Sequence, residues 1–193
     1  MNTEFWQTIL GRRSIRRYAD RPVPPEDIER IIRAACSAPS AHNSRPWHFT
    51  VVTSPQIRDR LVRAMAAAYR KDMTDEGIHP ATRARRTERS LALLGRAPVI
   101  VIAYLVQSPE SAEERMLAVQ SVAVATGYLL LAAAACGLGA CWYSAPVFCP
   151  EVVNQSLGVE ADWRPQALVT LGYPAESPRP RSKKPWREIV TYV

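Results

Sequence analysis

The sequence predicts an α/β or α+β layered domain, and three observations carry that prediction. Residues 98–106, PVIVIAYLV, form an unbroken apolar run of strand length, as in a strand covered on both faces of a sheet. Residues 116–150 contain no charged side chain, the composition of a helix buried on all sides. Strand-like and helix-like segments alternate along the chain, which builds layers of helix on sheet. At 193 residues the chain is long enough for one domain with a substantial core, taken here as 1–193.

In order, a short amphipathic segment at 4–10 precedes the arginine-rich stretch 11–18, GRRSIRRY. Arg21, Pro22, Val23, Pro24 and Pro25 make a turn, and proline is favoured just inside a helix start. Ile28, Ile31, Ile32 and Ala35 recur at helical spacing up to Cys36. The Pro, Ser and Asn content of 37–46 marks a loop, and 47–53, WHFTVVT, has strand composition. A helix is expected from Pro55 to about Lys71, a loop over 72–80, and a basic helix over 83–94. The strand at 98–106 leads to the uncharged helix at 113–136, with Gly137 placed to cap it. A strand at 138–144, a short helix at 150–157, a strand at 166–173 and a last strand-like segment at 188–193 complete the chain.

The net charge of +7 favours a phosphorylated or polyanionic ligand. Cys36, Cys136, Cys141 and Cys149 form no C-x-x-C pair, so reduced core thiols of a cytoplasmic protein are expected. His42, His48 and His79 have no ligand spacing, so no metal is expected. The first ten residues lack the pattern of a secretory signal. Gln120, Ser121, Thr126 and Gly127 interrupt the uncharged run, which argues against a membrane span.

Several chemistries are excluded by pattern. Gly137 and Gly139 begin like a dinucleotide fingerprint but follow a helix, and Trp142 stands where the third glycine belongs. No phosphate loop ends in Gly-Lys-Ser/Thr, and Ser144 lacks the glycines of a nucleophile elbow. What remains is a basic grip at Arg12, Arg13, Ser14, Arg16 and Arg17. A guanidinium fork matches phosphate oxygens and a serine hydroxyl adds one more bond. A phosphate grip without a protein-borne nucleophile points to chemistry supplied by a cofactor.

Three motifs in order carry a resemblance: Arg12, Arg13, Ser14, Ile15, Arg16; then 38–47, APSAHNSRPW; then 137–142, GLGACW. The chain resembles the nitroreductase family of flavin enzymes over nearly its whole length. Within that family, 57–174 looks closest to the C-terminal domain of the γ-glutamyl ligase of deazaflavin coenzyme biosynthesis. The 73–77 loop, 96–98, 137–142 and 162–165 carry that likeness.

The resemblance implies an α+β fold with a mixed, mainly antiparallel sheet flanked by helices around a long buried helix. It implies FMN bound between the subunits of a homodimer, a reduced nicotinamide or reduced flavin as donor, and a small oxidised acceptor. Carried over, Arg12, Arg13, Ser14 and Arg16 hold the FMN phosphate and the near edge of the ring. Pro39, Ser40 and Asn43 match a loop reaching the partner's flavin. Tyr143, Ser144 and Ala145 match a segment whose amides approach the redox nitrogen, and Arg181 and Lys183 complete the phosphate site. The chain departs from the family in having Arg45 where glutamine is usual, and Ser144 near where an acidic residue often stands.

Arg45, Arg85 and Arg86 are candidates for an acidic substrate, although a basic cluster over 83–89 is most often a solvated helix face. Cys141 and Trp142 read as strand packing, and His42 and Asn43 serve equally as turn formers. A flavin-binding protein without turnover, or a basic nucleic-acid module, are the alternatives. No nucleic-acid motif is legible for the latter.

Overall fold

The computed structural model describes residues 3–177 and 185–193. Its elements are α1 (Thr3–Gly11), α2 (Pro25–Cys36), β1 (Trp47–Val52), α3 (Pro55–Asp75), α4 (Pro80–Gly95), β2 (Val99–Leu105), α5 (Ala112–Ala135), β3 (Gly139–Tyr143), α6 (Pro150–Leu157) and β4 (Arg164–Gly172). Single 3-10 turns lie at Ala41–Asn43, Ala145–Phe148 and Trp186–Ile189.

The four strands form one sheet in the order β1-β2-β4-β3, and every pairing is antiparallel. The expected mixed sheet is corrected to that extent. Among the described residues the parallel contact is an isolated bridge between Ser14 and Ala140. Every residue of β2 is buried, as its unbroken apolar sequence requires. Alternate side chains serve opposite faces. Val99 and Val101 pack with Ile31 of α2 and Leu129 of α5, whereas Ile100 and Ile102 pack with Leu61 and Met65 of α3 and Val153 of α6. Each such aliphatic side chain contributes about 1.5–3 kcal/mol by leaving water.

α5 is the helix around which the layers assemble. Ser111 accepts a hydrogen bond from the Glu114 amide at its start. Gly137, at φ 71°, lets the Leu138 amide return to the Ala133 carbonyl at 2.8 Å and closes its end. The helix is apolar enough to cross a bilayer by length and composition, but in this fold it packs on α2 and the sheet. Its burial is one-sided in the single chain, which corrects the reading of a helix buried all round. Ala118, Val122, Ala125, Leu129 and Ala133 face the core, whereas Met116, Val124 and Tyr128 are 54%, 41% and 41% exposed.

Two further expectations are revised. α3 continues past Lys71 to Asp75, where an Asp75–Lys71 ion pair one turn apart supports the last turn. The strand expected at 188–193 is instead a 3-10 turn at Trp186–Ile189 followed by chain without a strand partner among the described residues.

Candidate functional site

The arginine-rich segment leaves the end of α1 and lies along the free edge of β3. The Ile15 amide donates to the Ala140 carbonyl at 3.0 Å, and Ser14 bridges Ala140. Gly139 makes this approach feasible: a Cβ there would stand 2.6 Å from Ile15 Cγ2, inside any real contact. Ile15 is accordingly buried against the strand.

Two side chains fix the segment further along. The Tyr18 hydroxyl donates to the Ile15 carbonyl at 2.6 Å and meets the Thr170 hydroxyl of β4, also at 2.6 Å. Glu176 accepts the Arg16 and Arg17 amides at 2.7 and 3.2 Å through one carboxylate oxygen. Burial pushes the Tyr18 phenol upward, so it stays a neutral donor across the physiological range.

With the backbone held in this way, the guanidiniums divide. Arg13 Nη1 donates to the Leu10 and Arg12 carbonyls at 2.8 and 2.9 Å, closing the end of α1. Arg16 reaches the Ser14 carbonyl only at 3.5 Å. Among the described residues no carboxylate forms an ion pair with Arg12, Arg13 or Arg16. Arg12 and Arg13 line a cleft of about 1170 Å³ together with Ile15, Gly139, Ala140 and Glu176. Unpaired guanidiniums at the wall of a cleft this large fit a phosphate-bearing cofactor.

The other expected site residues lie elsewhere on the single chain. Pro39, Ser40 and Asn43 belong to a loop anchored on α5, where the Ala41 amide donates to Ser121 Oγ at 3.2 Å. None of them lines the Arg12 cleft. His42, Asn43 and Arg45 all have positive φ, at 52°, 54° and 46°. Such strain in non-glycine residues persists where surroundings enforce it. Here Ser40 Oγ accepts the Arg45 amide at 2.9 Å and Asn43 Oδ1 accepts Arg45 Nε at 3.1 Å. His42 and Asn43 thus shape the turn itself.

Tyr143 ends β3 with its hydroxyl buried and unpartnered, and Ser144 and Ala145 follow exposed at the start of a 3-10 turn. These three residues do not line the Arg12 cleft either. Arg85 and Arg86 are exposed on α4, whose buried residues are Thr87 and Leu94. Cys141 is buried, in keeping with strand packing. Arg181 and Lys183 lie outside the described residues. Sequence reasoning missed Tyr18, Thr170 and Glu176 as supports of the segment. Tyr18 stood within the motif and was given no role, and Glu176 lies 160 residues from the amide it holds, beyond any local signal.

Comparison with known proteins decides the family. The nitroreductase family model matches residues 9–173. The chain belongs to the nitroreductase family. Within that family it is 34% identical over 202 residues to an NADH dehydrogenase of Thermus thermophilus, covering 95% of this chain and 93% of the relative. A BluB-like flavoprotein from Clostridium difficile superposes with a TM-score of 0.83 at 26% identity, covering both chains fully. A nitroreductase with bound FMN from Bacteroides fragilis superposes with a TM-score of 0.80 at 27% identity, again over the whole of both chains. This nitroreductase-family chain is an oxidoreductase, and its expected α+β fold is the one observed.

Proposed function

We propose that the chain is an FMN-dependent oxidoreductase that takes reducing equivalents from NAD(P)H and delivers them to a small oxidised acceptor. The observation that carries this reading is the Arg12–Arg16 segment laid on β3, with Arg12 and Arg13, free of carboxylate partners, lining the 1170 Å³ cleft, whereas Ser14 and Arg16 do not line it. FMN bound in the Bacteroides fragilis nitroreductase and the NADH named for the Thermus relative support it. When bound, FMN would supply the redox chemistry that links nicotinamide to acceptor.

The chain's own residues bind and orient. Arg12, Arg13, Ser14 and Arg16 would hold the phosphate and the near edge of the ring. The backbone amides of Tyr143, Ser144 and Ala145 would stabilise negative charge on the reduced ring. Tyr18, Thr170 and Glu176 keep the arginine segment in place. No side chain is assigned to move a proton.

Pro39, Ser40 and Asn43 complete the site from a second copy in a cytoplasmic homodimer. Supporting that assembly, α1 exposes Trp6 and Leu10 at 45% and 60%, and α5 exposes Met116, Val124 and Tyr128. α1 packs on α5, so these residues can form one apolar surface for a second copy to cover.

For the acceptor, a nitroaromatic or quinone is the general reading. Arg45 favours a second one, an acid-bearing dehydro intermediate of deazaflavin coenzyme assembly, because its guanidinium is exposed and held by Asn43. Steady-state assays of the FMN-loaded protein with NADH or NADPH and each acceptor test both readings. Parallel double-reciprocal lines are expected for a shared site used in turn. No oxidation of either nicotinamide with any acceptor would sink the proposal.

A further inference from the structure

A second cleft, of about 530 Å³, opens between the turn after Tyr18, the β1–α3 junction and the start of β2. It shares no lining residue with the Arg12 cleft. Arg21, Arg58 and Arg96 line it, and Asp20 is the acidic residue of its wall. Among the described residues none of the three arginines forms an ion pair with a carboxylate.

Each guanidinium is placed for a different reason. Arg21 lies over the Tyr173 ring, its carbon 3.8 Å from the centroid, which fixes its plane and leaves its edge donors unspent. Arg58, in the first turn of α3, donates to the Thr53 carbonyl at 2.8 Å and to the Pro98 carbonyl. Its Nε is buried without a partner, and burial lowers its pKa. A guanidinium drawn partly out of water with no anion beside it is destabilised, and an anion in the cleft relieves that cost. Arg96 is exposed just past α4, and no side-chain partner is formed for it among the described residues. The N-terminal end of α3 borders the same cleft through Thr53 and Pro55, adding a favourable field for negative charge.

We propose that this cleft binds a phosphate monoester of about nucleotide size, its dianion held by Arg21, Arg58 and Arg96 and its body resting on Pro55 and Pro98. Three guanidiniums against one carboxylate leave a charge that matches a dianion better than a single carboxylate. The volume lies within the range of small-molecule sites, and the proline wall suits a flat or apolar body better than a bare sugar. The site stands apart from the flavin reading: no residue assigned to contact FMN lines it, and Tyr18, which supports their segment, is the one support it shares.

The test is calorimetric titration of the purified protein with adenosine monophosphate, ribose 5-phosphate and inorganic phosphate, each with and without saturating FMN. Saturable adenosine monophosphate binding is expected whether or not FMN is present, tighter than that of the other two probes. Arg21→Gln combined with Arg96→Gln should weaken it by about tenfold or more while leaving FMN affinity unchanged. Both residues are exposed, and Arg96→Gln alone serves if the pair folds poorly. Absence of saturable binding, competition by FMN, or affinity untouched by the substitutions would overturn the proposal.

Discussion

The Tyr18 hydroxyl lies 2.6 Å from both the Ile15 carbonyl and the Thr170 hydroxyl, joining the arginine segment to the inside of the sheet. Tyr18 has one proton and gives it to Ile15, so Thr170 is left as the donor to the phenol oxygen. Tyr18→Phe removes these bonds and leaves the fully buried Thr170 hydroxyl with only its long, 3.4 Å bond to the Cys141 carbonyl. A loss of about 1–3 kcal/mol is expected in urea unfolding, with weaker FMN binding at unchanged secondary structure. Unchanged stability and FMN affinity would remove Tyr18 from the account.

Gly139 is the second support. An added methyl would meet Ile15 Cγ2 at 2.6 Å and Cβ at 2.7 Å, so Gly139→Ala should lift the segment from β3. Overpacking of this kind costs about 1–3 kcal/mol. Combining it with Ile15→Ala should restore part of the FMN affinity. A double variant worse than the sum of the singles would contradict this contact.

Glu176 holds amides but also places negative charge beside the proposed phosphate grip. Glu176→Gln keeps an accepting oxygen and removes the charge, so FMN should bind as tightly or more tightly. Glu176→Ala leaves the Arg16 and Arg17 amides without their acceptor and should cost about 1–2 kcal/mol of stability. Fluorescence titration and urea unfolding of the two variants separate the roles. Equal behaviour would show that the charge alone matters.

Alkaline pH should destabilise the fold. Burial pushes the Cys149 thiol up from its ordinary 9.0 to about 11, and the phenols of Tyr18, Tyr104 and Tyr143 are raised for the same reason. In each case the folded state holds its proton more tightly, so the contribution is complete below the unfolded pKa and declines above it. For Cys149 the decline begins near pH 9 and is complete beyond about 11. Unfolding free energies across that window, with Cys149→Ala as control, should show a shallower alkaline slope in the variant.

Arg85 and Arg86 stand on the solvent side of α4 and line neither cleft. If they act on an acidic acceptor, it is through their field, which salt screens. Replacing both with alanine should flatten the dependence of KM on ionic strength and leave kcat unchanged. An unaltered salt dependence would return them to the role of a solvated helix face.

Much of the fold was legible because local chemistry and global packing agree. The unbroken apolar sequence of β2 required cover on both faces, and the layers on either side supply it. Gly137 closes α5 where the apolar pattern breaks. The outer face of α5 was misread for a physical reason: an apolar helix face covered by its own chain and one left exposed have the same composition. Met116 and Val124 therefore gave no sign of their exposure. The extension of α3 was hidden because residues 72–75 look polar and loop-like, while the Lys71–Asp75 pair that supports them acts only once the helix exists. At the candidate site, guanidinium chemistry drew attention to the arginines, and the family resemblance gave them a ligand. Their supports were not legible, since Thr170 and Glu176 reach the segment only through the return of β4.

Whether the Arg12–Arg16 segment holds FMN is read from the flavin that the purified protein carries. Visible absorbance, identification of the flavin released on denaturation, and FMN titration of Arg12→Ala combined with Arg16→Ala form one experiment. The purified protein should be yellow and release FMN, and the variant should bind FMN about 100-fold or more weakly with its fold intact. A colourless protein that refuses added FMN, or a variant that binds it as tightly as the parent, would contradict FMN binding by this segment.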